Sequence, residues 1–393
     1  MHGEAAHGST AARGLADAPR AQIIDADAAA AIEPEWSDLA ANAVEPNAFY
    51  APQVLLPALS AFADEKPAVA VVRGACGRLI GLAPLAPLRG YSHLPVRYVA
   101  TWMHKHCFFA APLVRRGAEA AFFAALFDAV EDRGAFLRLR HLDASGPLYA
   151  AAAAAAAETG RLSAPSARYA RAMLTAPWST DDYLKESMRG KHRKDLRRRR
   201  ARLEETGALA FERLDALTDL DAWAEEFLAL EASGWKGAAG TALRQDAASA
   251  RFFKAAVRRA RAAGALQFFR LRHAGRTIAA AVNFSGGGVA YSFKIAYDEE
   301  FARYSPGVMI EIEIMRALEG DASVSTIDSC AKVEHPMIDR LWRERREICA
   351  LNISRRDMAS KALFRLLTML ERASEEARGK AEKPAAEDGD DDL

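Results

Sequence analysis

The chain has 393 residues, a formal net charge of +1, and 27% charged against 51% hydrophobic residues. That length carries two domains with real cores. The near-neutral balance excludes a polyelectrolyte, so any attraction to nucleic acid or membrane must come from a local cluster.

The four cysteines (Cys76, Cys107, Cys330, Cys349) are far apart and form neither a C-x-x-C pair nor a disulfide framework, which fits a reducing compartment. No run approaches the roughly 20 apolar residues that span a bilayer. The alanine-rich start has no signal-peptide core. A cytoplasmic address without a transmembrane segment is expected.

Residues 1–20 are small and polar, and disorder is expected there. Ile32–Leu39 and Val54–Phe62 read as short helices. Ala68–Arg73 and Leu79–Pro87 read as strands around the turn Gly74–Gly77, with Leu94–Trp102 as a third. Phe122, Phe123, Leu126 and Val130 fall at helical spacing within Glu119–Asp132. Phe136–Leu142 is a predicted strand, and the alanine run gives a helix at Leu148–Glu158. Pro177 and Ser179 break the pattern near Ala170–Thr180, dividing the chain into units 21–175 and 176–375. An acidic tail, 376–393, follows and is expected to be solvated and disordered.

The second unit opens with a helix from Thr180 and then the most charged segment. Arg189–Arg202 holds nine Lys/Arg and one acid, Asp195. Phe211–Leu214 suits a strand, Leu217–Leu230 a helix buried through Trp223, Phe227 and Leu230, and Asp246–Ala263 a helix with an Asp cap. Leu266–Gly320 organises the rest. It reads strand (Leu266–Arg272), turn, strand (Arg276–Phe284), glycine turn, strand (Val289–Ala296), loop, then a helix over Val308–Leu318 with Val308, Ile312, Met315 and Leu318 on its apolar face. Ser305 suits the N-cap and Pro306 the first helical position. A glycine-containing loop feeding a helix N-terminus presents N–H groups and the positive dipole end to an anion. Ser325–Ser329 is a short predicted strand, and Met337–Arg345 and Met358–Ala373 are predicted helices.

Arg73–Ala83 echoes Arg272–Ala281: both are strand, tight turn, strand, and each precedes a helix and a strand. Two copies of one α/β unit are expected, the first without a counterpart of the loop Tyr304–Gly307.

The run Y-S-F-K-I-A-Y-D-E-E-F-A-R-Y-S-P-G (Tyr291–Gly307), with E-A-S-G-W-K-G (Glu231–Gly237) and G-T-A-L (Gly240–Leu243), resembles the CelD-like cellulose-biosynthesis family. That family belongs to the GNAT acyltransferase superfamily and is related to the FemAB transferases. The resemblance covers Ala21 to Arg372. It implies two tandem GNAT-like α/β units with mixed, mostly antiparallel sheets flanked by helices. It also implies acyl transfer from acetyl-CoA or another acyl-CoA to a small amine or hydroxyl acceptor, such as a sugar or polysaccharide precursor. An aminoacyl-tRNA-dependent transferase and a non-catalytic assembly factor for polysaccharide export remain as alternatives.

Tyr304, Ser305, Gly307 and Val308 are the expected cofactor residues. Trp235, Lys236 and Lys294 are the expected substrate residues. Glu231, Asp328 and Asp298 are the candidate general bases, expected to converge so that mutual repulsion raises at least one pKa. The basic segment has no aromatic residues for base stacking, which disfavours nucleic acid, and a solvated helix with one seam through Leu196 and Leu203 explains it. His104-Lys105-His106-Cys107 brings potential ligands together without the spaced partners of a metal site, so no metal is expected. H-E-x-x-H, G-x-S-x-G and P-loop motifs are absent from the sequence.

Overall fold

A computed structural model describes residues 19–333 and 335–381. Residues 1–18 and 382–393 lie outside the described residues; of the two stretches expected to be disordered, Arg20 belongs to the first strand and residues 376–381 to the last helix. In chain order the strands are β1 (Arg20–Ile24), β2 (Ala68–Arg73), β3 (Leu79–Tyr91), β4 (Leu94–Thr101), β5 (Leu113–Val114), β6 (Phe136–Asp143), β7 (Ser163–Thr175), β8 (Leu209–Arg213), β9 (Leu266–His273), β10 (Arg276–Gly286), β11 (Val289–Tyr297), β12 (Thr326–Asp328) and β13 (Glu344–Ser354). The helices are α1 (Ala26–Ala31), α2 (Glu33–Ala41), α3 (Pro52–Ala61), α4 (Glu119–Ala129), α5 (Pro147–Glu158), α6 (Thr180–Ser187), α7 (Gly190–Glu205), α8 (Leu220–Ser233), α9 (Trp235–Ala238), α10 (Ala247–Ala262), α11 (Pro306–Leu318), α12 (Ile338–Leu341) and α13 (Met358–Ala381).

Each half repeats one plan. In the first, the β2–β3 hairpin leads to β4, then α4, then β6 parallel to β4. In the second, the β9–β10 hairpin leads to β11, then α11, then β12 parallel to β11. The expected duplication is therefore present as two tandem units of mixed, mostly antiparallel sheet.

The sheet does not stop at the junction. Its order is β1-β2-β3-β4-β6-β13-β7-β12-β11-β10-β9-β8. The last strand of each unit has crossed to the other: β7 pairs with β12, β13 pairs with β6, and the two crossed strands pair with each other. Neither β7 nor β13 is anticipated from pattern. The Met337–Arg345 helix is corrected to the short α12 followed by the start of β13. In β13 the run Ile348–Ile353 is buried on both faces, so no period-2 alternation marks it.

Two apolar clusters fill the faces. One gathers α2, α3, α4, α5, α8 and α10 around Trp36, Phe122, Phe227 and Phe252. The other gathers α6, α7, α11 and α12 around Leu184, Leu196, Ile314 and Trp342. On α11 the buried stripe runs through Gly307, Ile310, Glu311, Ile314 and Leu318. Val308 and Ile312, expected on that face, are only partly buried at its side.

A buried charge cluster joins the crossed strands. Asp328, at the end of β12, is fully buried and accepts from Arg171 of β7 at 2.7 Å and Arg346 of β13 at 2.9 Å. Arg346 also pairs with Glu45 at 3.0 Å and Asp143 at 2.9 Å. Burial alone would raise the Asp328 pKa, but the two guanidiniums outweigh it and hold it below the usual carboxylate range. Of the three carboxylates of which at least one was expected to be raised by repulsion, Asp328 is therefore not that one.

Asp328→Asn leaves two buried guanidiniums short of their counter-charge and should cost about 3–5 kcal/mol, read from the urea midpoint. Because the folded pKa is depressed, this stabilisation is complete above the ordinary Asp range and is lost as pH falls through the folded value. The variant should lack that acid-side loss.

Candidate active site

β12 is three residues long and pairs with β11 only from Val289 to Tyr291. Beyond Tyr291 the edge of β11 over residues 292–297 has no neighbour strand on that side among the described residues, so the sheet opens between β11 and β12. Just past this point Phe293 is an extra residue: Val282 faces Lys294 and Asn283 faces Ser292. Such a bulge re-aims the side chains that follow. Lys294, opposite Val282, turns to α8; Ile295 packs in the cluster that holds α11.

On the α8 side three of the expected residues do meet. Glu231, near the end of α8, is 2% exposed. It accepts from Lys294 Nζ at 2.9 Å and from the Leu243 N–H at 2.8 Å, with Lys236 Nζ at 3.5 Å. Lys236 also donates to the Ile295 carbonyl at 2.8 Å, on the open edge of β11. Burial, and then the charge of Lys294, lowers the Lys236 pKa. Two ammonium groups around one carboxylate leave a surplus positive charge beside the gap. Trp235 is 57% exposed, neither core nor enclosed pocket; its N–H donates to Glu299 at 2.6 Å.

The expected convergence of Glu231, Asp298 and Asp328 is absent. Each carboxylate has its own cations: Glu231 the two lysines, Asp328 the two arginines, and Asp298 Arg276. Asp298 also caps the turn after β11 by accepting from the Glu300 N–H at 3.1 Å. The three carboxylates share no partner, so the repulsion argument has no geometric basis here.

At the mouth of the gap, Ser305 occupies the N-cap position of α11 but adopts φ 59° and makes no side-chain cap. Its Oγ accepts from Arg199 of α7 at 3.0 Å, and the same Arg199 nitrogen donates to the Arg303 carbonyl at 2.9 Å. Asp195 anchors this arginine at 2.7 Å. The basic helix therefore holds the loop, a role its composition did not reveal. Pro306 has no N–H, and the Val308 and Met309 N–H groups both return to the Ser305 carbonyl at 3.1 Å. Among the described residues the Gly307 N–H is left without a partner, so the expected donor set of Tyr304–Val308 narrows to this one group and the helix dipole. The Arg303 guanidinium lies over the Tyr304 ring at 4.7 Å. A cavity of about 260 Å³ opens beside Val308, lined also by Met188, His192, Met337 and Leu341.

The His104–Cys107 segment packs behind the bulge, with the His106 ring edge-on to Phe293 at 6.3 Å between centroids. His104 and His106 stack with Phe62 and Phe252, and burial pushes the His106 pKa down to about 3. Among the described residues no three metal-ligating side chains group together.

An acetyltransferase (GNAT) domain profile matches residues 190–335. No curated protein matches the chain significantly. Among solved structures, FemX superposes with a TM-score of 0.56 at 11% identity, covering 86% of this chain and 98% of that one. The C-terminal domain of a putative lysylphosphatidylglycerol synthetase from Agrobacterium fabrum gives 0.54 at 12%, covering 87% and 96%. A conserved protein of unknown function from Bacteroides thetaiotaomicron gives 0.53 at 12%, covering 82% and 97%. At such identities these likenesses describe the fold. The domain match falls on the half that contains the open sheet and the loop before α11: the second half of the chain carries a GNAT-type acetyltransferase domain, and the protein is an acyltransferase.

Proposed function

We propose that the chain transfers an acyl group, acetyl in the simplest case, from acyl-CoA to the amine or hydroxyl of a small acceptor, with a sugar or polysaccharide precursor as the acceptor class and membership of the CelD-like family. The observation that carries this reading is the gap between β11 and β12 with the unpartnered Gly307 N–H at its mouth. A helix N-terminus with a free N–H suits a pyrophosphate. A glycine there keeps the approach clear: an added Cβ would already touch Met337 and Tyr297 at 3.4 and 3.5 Å.

A thioester is an activated acyl group, so the protein has to position the acceptor, stabilise the oxyanion and move a proton. The open edge of β11 supplies backbone N–H groups. Lys294 and Lys236 supply positive charge beside it. The exposed Trp235 ring offers an apolar face with Lys236 5.8 Å from its centroid, an arrangement suited to the C–H face of a sugar ring. In this reading Glu231 holds the two lysines in place, and Asp328 and Asp298 have structural duties.

A second reading, a donor with a larger polyanionic handle such as aminoacyl-tRNA, draws on α7. Arg189, Lys191, Lys194 and Arg197 have no ion pair among the described residues. Arg189, Lys191 and Lys194 line a cavity of about 740 Å³.

Calorimetry should show acetyl-CoA binding to the parent and a loss of at least about tenfold in Gly307→Asp, which places a like charge at the phosphate position. Equal affinity in both would remove the pyrophosphate assignment. For the second reading, RNA binding that weakens steeply with salt, and a flatter salt slope when Arg189, Lys191, Lys194 and Arg197 become glutamine, is the expected result. Salt-insensitive or absent RNA binding leaves acyl-CoA as the donor.

A further inference from the structure

The three carboxylates first considered as bases are all neutralised by cations, yet a transfer to an amine or hydroxyl needs a proton acceptor poised near working pH. One carboxylate on α11, the helix that packs on β9, β10 and β11, is different. Glu311 lies four residues after Gly307 on α11, on the same sheet-facing side. It is 5% exposed, and no hydrogen bond or ion pair joins it to any described residue.

The cations and acids on the surrounding elements are engaged elsewhere. Lys294 of β11 pairs with Glu231, Arg276 of β10 with Asp298 and Glu300, and Arg270 of β9 with Glu212 and Glu226. On α6, Lys185 pairs with Asp182, Asp181 with Arg316, Glu186 with Arg343, and Tyr183 with Glu344. Of the remaining titratable groups on these strands, His273 bonds the Leu203 carbonyl at 3.0 Å and Arg272 bonds the Gly275 carbonyl and lies 3.6 Å from Glu212; Tyr291 donates to the Pro46 carbonyl at 2.5 Å, and Tyr297 contacts Gly307. Burial alone pushes the Glu311 pKa up to about 7.

Position adds to this. As the crossover between the parallel β11 and β12, α11 runs back down the sheet from the end of β11. One helical turn, about 5.4 Å, carries Glu311 down the sheet from the mouth, where Gly307 lies by Ile295 and Tyr297 on the open edge of β11. A lone buried carboxylate costs stability and has no packing reason to persist in an apolar stripe.

We propose that Glu311 is the general base of the transfer, an unpartnered carboxylate that reaches the gap between β11 and β12 from the α11 side, opposite the lysine pair. This rests on the acyl-CoA reading. Glu311 takes the proton of the acceptor amine or hydroxyl as its nitrogen or oxygen bonds the thioester carbonyl carbon. It returns that proton to the sulfur as the C–S bond breaks, so the products are the acylated acceptor and the free thiol.

The test uses the full chain, acetyl-CoA as donor, and a panel of amino sugars and small amines, with water as the basal acceptor. Glu311→Gln should keep acetyl-CoA affinity by calorimetry and lose turnover by roughly 10²–10⁴-fold. The parent kcat/KM should rise with pH through about 7, and that limb should vanish in the variant. Glu311→Met should also be inactive, yet more stable than the parent at neutral pH. The sign follows from linkage: a carboxyl whose pKa is raised on folding stabilises fully below its ordinary value of 4.5 and loses that contribution as pH rises through about 7. The parent should therefore weaken over that interval and Glu311→Met should not. An infrared carboxyl band assigned by Glu311→Gln should titrate near 7 in the parent.

Full turnover in Glu311→Gln, or a band titrating below about 5, overturns the base assignment and leaves the donor reading intact. A parent that binds no acyl-CoA overturns both.

Discussion

The rest of the structure depends on the neutralisation of Asp328. Its carboxylate sits where water cannot reach it, at the end of the strand that borders the gap. The two guanidiniums that compensate it come from the two strands that have changed places, β7 and β13. A buried ion left unpaired is far more costly than the pair is favourable, so the three strands are bound to one arrangement. Glu45 and Asp143, both from the first unit, complete the shell around Arg346. Glu45 is mostly buried, with one oxygen unpartnered; burial first, and the nearby Asp143 charge, raise its pKa to about 7 against the pull of Arg346. The cluster is thus anchored by groups from both halves of the chain.

This arrangement also explains which parts of the fold were legible in the sequence. The hairpins β2–β3 and β9–β10, the amphipathic α8 and α10, and the Asp246 cap follow local rules: alternation, helical spacing, a turn glycine. β13 follows none, because its partners lie far away in sequence and its run from Ile348 is buried on both faces; β7 alternates only over Ser163–Ala167, and its partners are equally distant. The lone strand signal in β13, its apolar run from Ile348, begins only after the charged Glu344–Glu347. That opening reads as a helix end until Arg346 is seen to have a buried partner.

The site divides in the same way. Glu231, Lys236 and Lys294 were nominated from family-like blocks and do meet, because the bulge at Phe293 turns Lys294 toward α8. Ser305 and Gly307 were nominated from helix-start chemistry, which located the right residues but not the arginine that holds them. Arg199 was hidden as one of nine Lys/Arg in its segment. Glu311 was hidden by the opposite circumstance. A single acid within an apolar stripe can be read as a helix-surface residue if the stripe is assumed to run through Val308 and Ile312. Shifting it to Gly307, Ile310 and Ile314 puts the acid at its centre. The usable signal was Glu311 four residues after the loop glycine, an acid at the spacing where a core residue belongs.

The crossed strands have a consequence for how such a tandem could arise and persist. The first unit lacks the loop that precedes α11, yet its final strand pairs with β12, which borders the other unit's gap, and supplies Arg171 to the buried Asp328. Loss of the sequence before residue 176 would remove a piece of the second site along with the first. If the two units arose by duplication, the backbone of the first is constrained by its pairing with the second whatever became of its own chemistry. The half without a site would be kept under selection by what it supplies to the half that has one, and variation in it should be broad on its outer strands β1–β3 and narrow along β7.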